Sequence, residues 1–101
     1  MKFADILATL PGAEHLQKIT LTDPDGDVES IENKPGSQGS VRVYFYLFQK
    51  YGKINVKAAQ EGLRLYAEHT EDARANPGKH PNIDRLLDIA ESGEELAVAA
   101  V

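Results

Sequence analysis

The chain has 101 residues and no cysteine, which fits one domain (residues 1–101) and excludes disulfides, thiolate metal centres and cysteine nucleophiles. Sixteen acidic residues against eleven basic ones give a net charge of −5, which opposes phosphate-dominated binding and disfavours nucleic acid as a partner. No apolar run is longer than the six residues of Val43–Phe48, far short of the roughly 20 residues that span a bilayer. Met1–Leu10 lacks the apolar centre of a signal peptide, so the reading is a cytoplasmic protein without a membrane partner.

In chain order, Phe3, Ile6, Leu7 and Leu10 fall on one helical face, predicting a helix over Lys2–Leu10 that Pro11-Gly12 ends. Ile19 and Leu21 alternate with Lys18, Thr20 and Thr22 as in a half-buried strand within His15–Asp23. After the turn Pro24-Asp25-Gly26-Asp27, a more polar strand over Val28–Glu32 completes a hairpin. Val41–Tyr51 fits either period: Val41, Val43, Phe45 and Leu47 alternate, while Val41, Phe45 and Phe48 have helical spacing. Boundary signals decide for helix, with Ser37 or Ser40 before it, Lys50 in its last turn and Gly52 after Tyr51.

Asn55 is placed to cap a helix reaching Asn76, its stripe drawn by Val56, Ala59, Leu63, Tyr66, Ala67 and Ala73 and its end marked by Pro77-Gly78. Pro81 suits the first position of a helix carrying Ile83, Leu86, Leu87 and Ala90 to Ser92-Gly93. Leu96–Val101 is apolar throughout, as in a strand buried on both faces and added beside the hairpin. The expected fold is α+β: a small sheet of hairpin plus C-terminal strand, covered by helices in the order α-β-β-α-α-α-β.

Asn33–Ser40 is the segment best suited to a ligand. Its two glycines permit close backbone approach, and Lys34, Ser37, Gln38, Gly39 and Ser40 precede a helix start, where free N–H groups attract anions. It is not a P-loop, because Lys34 precedes both glycines; the plain reading is a strand-to-helix turn with a serine cap. Asp23, Asp25 and Asp27 resemble the start of a calcium loop, but Val28 stands at the position that needs glycine and Lys34 where glutamate is required, which favours a hairpin turn. Between Tyr66 and Asp84, His69, Asp72 and His80 could supply two imidazoles and a carboxylate for a metal or for acid–base work, against the plainer reading of a solvated helix face. The aromatic run Tyr44, Phe45, Tyr46, Phe48 and Tyr51 is core or a surface for another chain.

The strings Asn33-Lys-Pro-Gly-Ser-Gln-Gly-Ser40, Gln49-Lys-Tyr-Gly52, Tyr66–Arg74 and His80–Leu87 resemble a family of bacterial proteins of about this length classed as a domain of unknown function. The resemblance covers nearly the whole chain. It implies a bacterial, cytoplasmic, stand-alone protein and supplies no catalytic residues.

With no nucleophile elbow and no dinucleotide fingerprint, nothing names a reaction or a cofactor. The expectation is a non-catalytic binding or interaction module whose loop 33–40 accepts an anionic group of a small ligand or a protein partner. Two alternatives stand beside it. One is a small metal-dependent or acid–base enzyme using His69, Asp72 and His80; the other is a structural homodimer joined through Val43–Tyr51.

Overall fold

The computed structural model describes all residues, Met1–Val101, and orders them as α1 (Phe3–Leu7), β1 (Lys18–Thr22), β2 (Val28–Glu32), α2 (Gln38–Tyr51), α3 (Val56–Leu65), α4 (Glu68–Ala75), α5 (Pro81–Ser92) and β3 (Ala97–Ala100). The α+β class and its small sheet are as expected. Strand order is β2-β1-β3, all antiparallel, with Ile19 opposite both Ile31 and Ala100, and Leu21 opposite Glu29 and Val98. Alternation turns Ile19, Leu21 and Ile31 to one face, where α2 buries them. The hairpin turn is held by Asp23, whose Oδ1 accepts the N–H groups of Asp25 and Asp27 at 2.9 Å each. Of the carboxylates that suggested calcium, that of Asp23 thus serves the turn itself.

Two expected elements differ in extent. The first helix stops at Leu7 because the N–H groups of Thr9 and Leu10 bond three residues back, to Ile6 and Leu7, tightening the chain before Pro11. The C-terminal strand joins the hairpin but is not buried on both faces. It lies at the sheet edge with Ala97 and Ala99 exposed, because helices cover only one side of so small a sheet.

The ambiguous segment is helical, and Gly52 ends it in the left-handed conformation with φ 76°, its N–H bonded to Phe48 O. Val41, Val43, Tyr44 and Leu47 are buried, while Phe45, Tyr46 and Tyr51 pack on the core. The exposed large apolar side chains are Met1, Val28 and Val101, whereas Tyr44 is fully buried and Phe45, Tyr46, Phe48 and Tyr51 are half-buried. No helix is long and apolar enough to cross a membrane.

The helix expected over residues 55–76 is two helices. Asn55 caps the first, accepting the Ala58 N–H at 2.8 Å. Ala67 then breaks the run with φ 51° and ψ −119°, and the Thr70 hydroxyl takes the Leu63 carbonyl freed at the corner. Pro81 opens α5, which packs on α3 so closely that a Cβ at Gly62 would lie 2.6 Å from Leu86 Cδ1.

Candidate functional site

A helix begins with N–H groups that have no acceptor within it. In α2 the first bond runs from Val41 N–H to Ser37 O, so the N–H groups of Gln38, Gly39 and Ser40 have no acceptor within the chain. In α5, Ile83 and Asp84 both bond to His80 O, which leaves the Asn82 N–H in the same condition. Both first turns open onto one cavity of about 500 Å³.

The remaining walls come from α1 and from the corner between α3 and α4. Phe3 and Leu7 form one side, and Tyr66, His69, Lys79 and His80 form the other. The Phe3 ring stacks on Tyr66 and meets His69 edge-on, each at 5.2 Å between centroids. Its N–H donates to Glu68 Oε1 at 2.7 Å. Gly39 lets α1 lie across the first turn of α2, since a Cβ there would already stand 3.4 Å from the Phe3 ring.

Buried tyrosines position the two helix starts. The Tyr66 hydroxyl donates to Ser40 Oγ at 2.7 Å, and burial pushes its phenol far up, so it remains a neutral donor. The Tyr44 hydroxyl donates to the Asn82 carbonyl, while Arg85 Nη1 donates to Tyr44 at 3.2 Å and to Asn82 Oδ1 at 3.0 Å. Burial raises the Tyr44 phenol to about 12 despite that guanidinium.

Asp72 stands behind His80. Its Oδ2 lies 2.6 Å from His80 Nε2 and 3.0 Å from Lys79 Nζ. The hydrogen bond from His80, and then that from Lys79, hold the Asp72 carboxyl at about 2, below its usual 3.8. An ionised carboxylate only accepts, so Nε2 of His80 is the donor. The His69 ring lies 5.8 Å from the His80 ring, centroid to centroid.

The two segments singled out in the sequence therefore meet. Gln38, Gly39 and Ser40 line the cavity with His69 and His80, whereas Lys34 and Ser37 do not. Lys34 pairs with Glu32 at 2.9 Å in solvent, and the Ser37 hydroxyl turns back to the Glu32 carbonyl without capping α2. The cavity's ammonium is that of Lys79. No group of three His, Asp or Glu side chains, His69, Asp72 and His80 included, is disposed to hold a metal ion. Phe3, Leu7, Tyr66 and Asn82 are lining residues that sequence reasoning did not assign to a site; their role depends on the α1 crossing and on the break at Ala67, which no local pattern announces.

The family model described as an uncharacterized protein conserved in bacteria (DUF2322) matches residues 3–100, and the chain belongs to that family. No curated protein and no solved structure matches it.

Proposed function

We propose that this member of the bacterial family is a binding module for a small anionic molecule, a phosphate or carboxylate compound held in the cavity between the first turns of α2 and α5. One observation carries the reading: the glycine-serine loop and the histidine-bearing segment, remote in sequence, converge on a single cavity of about 500 Å³. That volume falls in the range of small-molecule sites, roughly 300–1,000 Å³. Free helix-start N–H groups and Lys79 suit an anion, while Phe3, Leu7 and Tyr66 suit an apolar body attached to it. A net charge of −5 opposes a polyanion, so the anion is carried by a small compound.

The test is an NMR titration of ¹⁵N-labelled protein with inorganic phosphate and with small carboxylates. Saturable shifts are expected at the amides of Gly36–Ser40 and of His69–Ile83. The absence of saturable shifts in both segments would overturn the proposal. A dimer built on Val43–Tyr51 has less support, because Tyr44 is in the protein's own core and Phe45, Tyr46 and Tyr51 pack against it.

A further inference from the structure

We infer that the cavity also hydrolyses what it binds, with His80 and His69 acting as a base–acid pair on a small phosphate monoester. The inference rests on the anion-binding reading and returns the histidines noted in the sequence to use without a metal. Three observations carry it. First, Asp72 commits Nε2 of His80 as a donor, at 2.6 Å, and so leaves Nδ1 with its lone pair. Second, no hydrogen bond within the chain engages either nitrogen of His69, whose ring is steadied instead by its edge-on contact with Phe3. Third, the rings stand 5.8 Å apart on the wall of one cavity, so each can place a nitrogen within hydrogen-bond reach of a different oxygen of one phosphoryl group. Both imidazoles are half-buried, so the nitrogens that the fold leaves free are open to water or a ligand in the cavity. Here the one engaged nitrogen faces a carboxylate, an arrangement that fixes a tautomer.

In the step proposed, a water oxygen attacks phosphorus while His80 Nδ1 takes one water proton. The bond from phosphorus to the ester oxygen breaks, and that oxygen takes a proton from His69. An alcohol and inorganic phosphate leave, His80 releases the proton it gained to solvent, and His69 takes one up from solvent. Lys79 and the helix-start N–H groups face the phosphoryl oxygens as charge shifts among them. Asp72 is a positioning residue, acting through His80.

The experiment compares p-nitrophenyl phosphate with phenyl phosphate as substrates of the purified chain, with a chelator present to silence metal-dependent contaminants. His80→Ala should lower turnover of both by about a hundredfold or more, the usual scale for a lost general base. His69→Ala should affect phenyl phosphate far more than p-nitrophenyl phosphate, because only the poorer leaving group needs a proton. Asp72→Asn should lower kcat with KM unchanged. Phosphate-induced shifts at the cavity amides without turnover above that of a folded His69→Ala/His80→Ala double variant would overturn this inference and leave the binding reading standing. If phosphate does not bind and no turnover is found, both fall.

Discussion

The Tyr51 hydroxyl donates to Glu61 Oε1 at 2.6 Å, and the same oxygen accepts Lys50 Nζ at 2.7 Å, so the C-terminal end of α2 is tied to the middle of α3 through a carboxylate nearly shut off from water. Arg64 adds a longer contact at 3.7 Å. Removing the acceptor leaves the Tyr51 donor half-buried without a partner. Glu61→Ala is expected to cost about 2 kcal/mol in urea unfolding, the usual scale for hydrogen bonds to a charged group. A change below about 0.5 kcal/mol would show that this link contributes no more than an exposed ion pair.

The same carboxylate sets a pH dependence. Burial alone would raise Glu61, but hydrogen bonds from Lys50 and Tyr51 outweigh it and bring the group to about 2, below the usual 4.5. Its folded-state pKa is depressed, so its contribution is complete above pH 4.5 and is lost as pH falls towards 2. Glu61→Gln should flatten that part of the stability curve. Asp72→Asn should do so in the narrower window between 3.8 and about 2. Thermal melts at intervals across this range measure both; parallel curves for wild type and variants would contradict the assignment.

Gly62 sits where α3 presses on α5. Alanine would gain about 1 kcal/mol of helix propensity. It would also place Cβ 2.6 Å from Leu86 Cδ1 and 3.0 Å from Leu47 Cδ1, both fully buried. Overpacking of this kind costs about 1–3 kcal/mol, so Gly62→Ala should be destabilising by about 1 kcal/mol net. A stabilised variant would mean that the α3–α5 contact is looser than described.

Ala67 holds φ 51° with ψ −119°, a conformation suited to glycine. Such strain costs about 1–3 kcal/mol, and it lies two residues before His69, where the chain turns to form the cavity wall. Ala67→Gly should raise stability by about 1 kcal/mol, reduced from the full strain by the added freedom of the unfolded chain. Denaturant midpoints decide it, and a loss of stability would contradict the strained corner.

This corner also explains what the sequence could and could not disclose. Gly52, Gly93, Asn55 and Pro81 mark helix ends by local chemistry, and each stands where that chemistry requires. Val41–Tyr51 is readable in two periods, and such boundary residues, not its apolar pattern, mark it as a helix. The break at Ala67 has no signal of this kind, because the apolar stripe runs on through Tyr66 and Ala67 to Ala73 while packing, not propensity, bends the chain. The loop 33–40 and the histidine segment each mark part of the cavity in the sequence, whereas Phe3 and Leu7 of α1 belong to neither. The meeting of the two segments depends on α1 lying over Gly39 and on Tyr66 reaching Ser40, contacts between residues far apart in the chain. The half-buried Arg85–Tyr44–Asn82 network is likewise invisible in the sequence, since an arginine on a helix reads as solvated until its neighbours are known.

Two lysines beside glycine-containing turns separate the loop as read from sequence from the cavity as built. Lys34 pairs with Glu32 in solvent and does not line the cavity, whereas Lys79 lines it and is drawn to Asp72 at 3.0 Å. Lys79→Ala should weaken phosphate binding about fivefold, equivalent to the roughly 1 kcal/mol at the upper end for an exposed charge. Lys34→Ala should leave the affinity unchanged. Titration of both variants by NMR, with the amides of Gly36–Ser40 as the readout, provides the comparison. The opposite ranking would place the anion at the outer side of the loop, on Lys34 and Ser37, and would remove the cavity from its recognition.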